Sequence, residues 1–157
     1  MSARIRHIAL VTDNPVETAE FYKKHFGMTE LYRQPAETGE NGVWLTDGYI
    51  YFAVLKYGGK DVPKLGVGQT SEMRGIHHIG FLVEDQAAKI KELADAKVKP
   101  VPGYVDEFYR PLANVSDKPN EKWLGPDEVN FDVRDGGWDE AISSRTQLFQ
   151  LVPVDRK

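Results

Sequence analysis

The sequence predicts an α+β domain in which a βαβββ pattern occurs twice. Three observations predict it. A strand-length apolar run near the N-terminus returns 71 residues later, each copy leads into a capped helical pattern, and strand-like runs follow each helix. The two copies are Ile5-Arg6-His7-Ile8-Ala9-Leu10-Val11-Thr12-Asp13 and Ile76-His77-His78-Ile79-Gly80-Phe81-Leu82-Val83-Glu84.

The first helix starts at Asn14-Pro15-Val16-Glu17, where Asn14 can cap, Pro15 suits the first helical position and Glu17 can close a capping box. Val16, Ala19, Tyr22 and Phe26 then recur at helical spacing, and Gly27 supplies a left-handed stop. In the second copy Asp85 can cap a helix whose stripe is Ala87, Ile90 and Ala94, with Leu93 beside it; residues 98–100 end the element. Strands are expected at 28–33, 42–46 and 49–57, with Asp47-Gly48 as a two-residue hairpin turn. In the second half they are expected at 98–106, 122–124 and 129–134, with Gly125-Pro126-Asp127-Glu128 as the turn.

Residues 1–157 therefore read as a single domain: module one at 4–57, a Gly/Pro-rich linker at 58–74, module two at 75–135 and a C-terminal tail at 136–157. Within the tail, 147–154 reads as an additional edge strand. The polar stretch 108–121 reads as a binding loop or a surface excursion, and Phe108-Tyr109-Arg110 within it as surface.

Composition narrows the function. The chain is 41% hydrophobic and 28% charged, the ordinary globular range. A net charge of −4, with both signs interspersed, argues against a nucleic-acid partner. The absence of cysteine excludes disulfides and thiolate metal sites, so any metal must be held by nitrogen and oxygen. No apolar run reaches membrane-span length and the first eight residues lack a signal-peptide core, so the expectation is a cytoplasmic protein without a membrane partner. The glycines at 58–59 and 66–68 are not followed by Lys-Ser/Thr, which argues against a phosphate loop.

Arg6-His7-Ile8-Ala9-Leu10-Val11, leading to Phe21-Tyr22 and Phe26-Gly27-Met28, resembles the opening of the vicinal-oxygen-chelate proteins, the glyoxalase, bleomycin-resistance and extradiol-dioxygenase superfamily. Ile76-His77-His78-Ile79-Gly80-Phe81 with Val83-Glu84-Asp85 resembles the second-module opening. Gly125-Pro126-Asp127-Glu128-Val129-Asn130-Phe131-Asp132-Val133 resembles the closing turn and strand, although that turn usually reads Asp-Pro-Asp-Gly. The resemblance spans about residues 4 to 135. It implies a cupped, barrel-like mixed sheet (the glyoxalase/dioxygenase fold), a divalent metal ion in the cup, a small-molecule substrate and a homodimer whose cup lies within one chain or is shared by two.

His7 and His78 occupy equivalent positions of the repeat, and equivalent positions of a pseudo-symmetric fold face a shared axis. Alternation places His7 with Ile5, Ala9 and Val11, and His78 with Ile76, Gly80 and Leu82, while His77 points to the opposite face. A lone strand histidine is usually a hydrogen-bonded core residue; a matched pair points to metal ligation. Asp132 faces away from Phe131 and Val133, either on a solvated face or, as the resemblance implies, as the carboxylate ligand. Gln150 is the second candidate for that role. Two imidazoles and a carboxylate suit Fe(II), Mn(II), Zn(II), Ni(II) or Co(II). Relatives take a further Glu or Gln from the last strand of module one, where Phe52 and Ala53 offer none; that weakens glyoxalase- and epimerase-type proton transfer. Tyr49 and Tyr51 are candidates for substrate hydrogen bonding or for packing. Trp44, Trp123 and Trp138 read as core or interface anchors, and His25 as a solvated helix-end residue.

The expected function is a divalent-metal-dependent enzyme of the glyoxalase/dioxygenase type, a lyase or dioxygenase acting on a small substrate with adjacent oxygens, its catalytic base unidentified. A metal-free small-molecule-binding protein of the bleomycin-resistance type is the alternative, and a structural or regulatory dimer with a vestigial site the third reading.

Overall fold

The computed structural model describes residues 3–35, 42–57, 72–101 and 121–146. The expected loop at 108–121, save its last residue, and the candidates Gln150 and 147–154 lie outside the described residues. In chain order the elements are β1 (Arg4–Val11), α1 (Pro15–Phe26), β2 (Thr29–Arg33), β3 (Gly42–Thr46), β4 (Tyr51–Leu55), β5 (Gly75–Leu82), α2 (Gln86–Asp95), β6 (Lys99–Pro100), β7 (Glu121–Leu124), β8 (Asn130–Arg134) and α3 (Trp138–Thr146). Among the described residues no helix is long and apolar enough to cross a membrane.

The strands form one open, mixed, cupped sheet in the order β2-β3-β4-β1-β5-β8-β7-β6. The order reads the same from both ends once each strand is replaced by its repeat partner, so a pseudo-twofold runs between β1 and β5. These central strands pair antiparallel, whereas β1 pairs with β4, and β5 with β8, in parallel. The arrangement puts the two repeat histidines at the centre: His7 lies opposite Gly80, and His78 opposite Ala9.

Both helix caps form as the sequence predicts. Asn14 Oδ1 accepts from the Glu17 amide at 3.2 Å, Gly27 ends α1 in the left-handed region at φ 66°, and Asp85 Oδ1 accepts from the Ala88 amide at 2.9 Å. Helix α1 packs Ala19, with Val16 and Tyr22, on Val43, Leu45 and Val54. The stripe expected on α2 is shallower: Ala87 and Ala94 are exposed, and Gln86 is the buried residue, donating from Nε2 to the Val133 carbonyl at 2.8 Å.

Three local features differ from the sequence reading. The turn after β3 has four residues, 47–50, because Asp47 Oδ1 accepts from the Tyr49 and Ile50 amides and tightens an Asx-type turn. Bulges fall at Arg6 in β1 and His77 in β5, equivalent positions in the repeat. They interrupt the alternation, leaving Ile5 and Ile76 exposed at 43% and 64% instead of sharing the histidines' side.

The third difference is α3, which forms where the sequence reading placed only a tail. Trp138, 2% exposed, leads α3 onto the sheet face opposite α1, where it joins Ala9, Trp44, Tyr51, Ala53 and Leu82 in one cluster. Its indole stacks on His7 with ring centroids 5.1 Å apart and planes at 19°. Gly80 is needed for this fit: a Cβ there would stand 2.4 Å from Trp138 Cη2 and 2.7 Å from His7 Cβ. Gly80→Ala should therefore cost about 1–3 kcal/mol by overpacking, read as a lower urea midpoint with altered tryptophan emission. An unchanged midpoint would show that α3 does not rest on the sheet at this place.

Candidate metal centre

Strands β1, β5 and β8 lie side by side and bring His7, His78 and Asp132 to one spot, with side chains 2%, 0% and 0% exposed. One ligand atom from each lies within 4.8 Å of the others. His7 Nε2 is 3.1 Å from His78 Nε2, His78 Nε2 is 3.2 Å from Asp132 Oδ2, and His7 Nε2 is 4.0 Å from Asp132 Oδ2. A circle through these three atoms has a radius of about 2.0 Å, the length of a bond from nitrogen or oxygen to zinc.

The hydrogen bonds behind the site bear on the fit. His7 Nδ1 lies 2.8 Å from the Tyr51 carbonyl, which can only accept, so Nδ1 carries the proton and Nε2 turns a lone pair to the centre. Asp132 Oδ2 is buried and accepts no well-aligned hydrogen bond among the described residues. Close to the three groups stands a residue that sequence reading did not single out. Lys122, on β7 and 0% exposed, pairs through Nζ with Asp132 Oδ1 and lies 3.0 Å from His78 Nε2. Since an ammonium only donates, His78 Nε2 must accept from it and Nδ1 must hold the ring's proton.

His77 was expected on the opposite face. The bulge instead turns its ring alongside His78, with the two Nδ1 atoms 2.8 Å apart. His77 Nε2 in turn lies 3.1 Å from the Asn130 side-chain amide. A proton on His78 Nδ1 makes His77 Nδ1 the acceptor and His77 Nε2 a donor, which requires the Asn130 amide to be turned so that Oδ1, in place of Nδ2, faces the ring. With the amide so turned, His77 and Asn130 hold the tautomer that the Lys122 contact requires, in which His78 Nε2 is able to ligate.

Burial dominates the electrostatics. It pushes His7 down to about 4 and His78 to about 3, so both rings are neutral at pH 7. Burial alone would raise the Asp132 carboxyl, but the positive charge around it holds it well below the usual range. The largest lowering influence is His78 in its charged form, followed by the Lys122 ammonium; at pH 7, with His78 neutral, the ammonium is the charge that remains. Two neutral imidazoles and an ionised carboxylate are the protonation states that metal ligation requires.

Between the ordinary histidine value near 6.5 and the folded values, the unfolded chain binds protons that the folded chain refuses. The metal-free protein should therefore lose stability as pH falls below about 6.5, by up to about 1.4 kcal/mol per pH unit for each ring. Asp132 adds a loss below about pH 4, since its stabilisation is complete only above the unfolded carboxyl value. Urea unfolding in chelator from pH 8 to 5 checks this; equal stability at pH 7 and 5 would contradict it.

The other candidates are placed as follows. Tyr51 is 4% exposed and adjoins His7, with ring centroids 5.7 Å apart, and burial pushes its phenol well above the ordinary value. Tyr49 is 47% exposed in the turn before β4, with the Arg6 guanidinium 4.0 Å from its ring centroid. Trp44, Trp123 and Trp138 are buried, and His25 is exposed beside Phe21. By register, Ala53 stands in module one where Asp132 stands in module two: Ala9 faces Ala53 as Gly80 faces Asp132. Among the described residues, module one therefore contributes His7 alone.

A family model described as the Glyoxalase/Bleomycin resistance protein/Dioxygenase superfamily matches residues 4–124. The chain belongs to this superfamily. The match spans both histidines and Lys122 and ends before Asp132, whose assignment rests on geometry. No curated protein matches the chain. Among solved structures, a single-residue variant of the Streptomyces coelicolor methylmalonyl-CoA epimerase in complex with 2-nitronate-propionyl-CoA superposes with a TM-score of 0.57 at 19% identity, covering 85% of this chain and 96% of that one. A methylmalonyl-CoA epimerase in complex with methylmalonyl-CoA and NH4+ gives 0.55 at 21% identity, covering 85% and 94%. A hypothetical protein from Bacillus halodurans C-125 gives 0.52 at 16%, covering 85% and 96%. At these identities the likenesses establish the superfamily's fold.

Proposed function

We propose that the protein is a divalent-metal-dependent enzyme of the glyoxalase/dioxygenase type, a lyase or dioxygenase acting on a small substrate with adjacent oxygen atoms. His7, His78 and Asp132 are the ligands. The observation that carries the proposal is the convergence of two bare imidazole nitrogens and a carboxylate oxygen on a circle of metal-bond radius.

A divalent ion held there would act as a Lewis acid toward the substrate's oxygens. With one carboxylate against it, the site keeps about one positive charge, which favours a negatively charged oxygen ligand. The protein's own part is positional. Tyr51 and His77 orient the rings through their outer nitrogens, and Trp138 covers one face of His7 and keeps water from it. Ala53 supplies no acid, base or amide, so proton transfer of the epimerase kind lacks a group at that position. This favours chemistry in which the substrate binds through its own oxygen pair.

Titration of chelator-treated protein with Fe(II), Mn(II), Zn(II), Ni(II) and Co(II) tests the reading. Saturable binding of at least one ion per chain is expected, and binding of none would overturn it. One observation favours a second reading, a metal-free small-molecule binder: Lys122 already neutralises Asp132. That reading predicts a His78→Ala protein with undiminished ligand affinity.

A further inference from the structure

Resting on that reading, we infer that Lys122 is a resident cation of the centre, whose ammonium holds the ground at Asp132 and His78 that a divalent ion needs, so that metal occupancy is decided by competition with a side chain of the same protein.

Lys122 pairs directly with Asp132 across the β7–β8 ladder, and the equivalent pair in module one is Trp44 with Ala53. The repeat thus places an apolar pair on one side of the cup and a cation–carboxylate pair on the other. Both members of the charged pair are 0% exposed. Between neutral imidazoles, Asp132 would otherwise be a buried charge with no partner, which a folded protein tolerates poorly. Lys122 therefore supports the metal-free fold.

The same contacts make it a competitor. Its Nζ takes Asp132 Oδ1 and lies 3.0 Å from His78 Nε2, two of the three groups an ion would use. One carboxylate shared between an ammonium on Oδ1 and a divalent ion on Oδ2 neutralises neither fully in so dry a place. Metal loading must therefore displace the ammonium from His78 Nε2 and weaken its pairing with Asp132. Divalent affinity is then lower than the ligand set alone would give, and the ammonium confers a preference for the ions that bind imidazole most strongly.

Co(II), whose visible absorption reports its ligands, is titrated into chelator-treated wild type, Lys122→Met and Lys122→Gln, with melting temperatures recorded with and without the ion. Met keeps the length without charge, and Gln keeps a donor to Asp132. Both variants should bind Co(II) at least about tenfold more tightly than wild type. They should melt lower in chelator and gain more on adding the ion. A variant that folds only with Co(II) present would support the competition more strongly still. If wild type binds Co(II) and both variants bind it equally or more weakly, Lys122 is not a competitor and the ligand assignment stands. If no protein binds Fe(II), Mn(II), Zn(II), Ni(II) or Co(II), the inference and the proposed function fall together.

Discussion

Asp132→Ala is expected to lower the stability of the metal-free protein by about 3–5 kcal/mol, the largest effect of any single substitution in the site. The cause is the charge left behind rather than the carboxylate lost. Lys122 is 0% exposed and pairs with Asp132; without it the ammonium faces two imidazoles already held neutral by burial. Much of the loss should return in the double variant Asp132→Ala, Lys122→Met, which removes both charges and fills the space with apolar atoms. Urea unfolding of wild type, both single variants and the double variant closes the cycle. A single variant within about 1 kcal/mol of wild type would mean that water or another group reaches the ammonium, and the site is less enclosed than described.

His78→Ala should carry the largest loss of metal affinity, because Nε2 lies within 3.2 Å of both other ligand atoms. Removal of an outer partner of a ligand typically costs about 10–100-fold, so loss of the ligand itself should exceed about 100-fold. The contrast with its neighbour is the sharper test. His77→Ala removes the ring 2.8 Å behind His78 and should fall within the smaller range. Calorimetric titration of the two variants distinguishes them. Equal losses would place His77 among the ligands, and no loss in either would move the metal elsewhere.

Much of this arrangement was legible in the chain. The 71-residue offset of the repeat gave the module order and the convergence of His7 with His78. A twofold relation between modules needs only that each half fold alike, and the caps at Asn14 and Asp85 are strong local signals. The β3–β4 turn is two residues longer than expected, and lengthening a hairpin loop by two residues preserves the alternation of the strand that follows.

A shift of one residue does not. Counting the turn before β8 as 125–128 sets Leu124 against Val129 and Lys122 against Phe131, on the apolar side. Val129 belongs to the turn instead, Leu124 pairs with Asn130, and Lys122 falls opposite Asp132. The charged pair was hidden by one residue of register. His77 was hidden likewise, since a bulge leaves no mark in a run as uniform as Ile76-His77-His78-Ile79. Helix α3 was missed because Gly136-Gly137 precedes it and its polar residues, Asp139 and Glu140 among them, mask the few apolar ones, Trp138 and Ile142, that bind it to the sheet.

The central claim is that one divalent ion sits between β1, β5 and β8. Anomalous diffraction from crystals grown with saturating Co(II) or Zn(II) measures it directly. The account predicts a single strong peak within about 2.0–2.2 Å of His7 Nε2, His78 Nε2 and an oxygen of Asp132, with the Lys122 ammonium displaced from His78 Nε2. A peak elsewhere, or Lys122 still paired with Asp132 and no ion between the histidines, would contradict it.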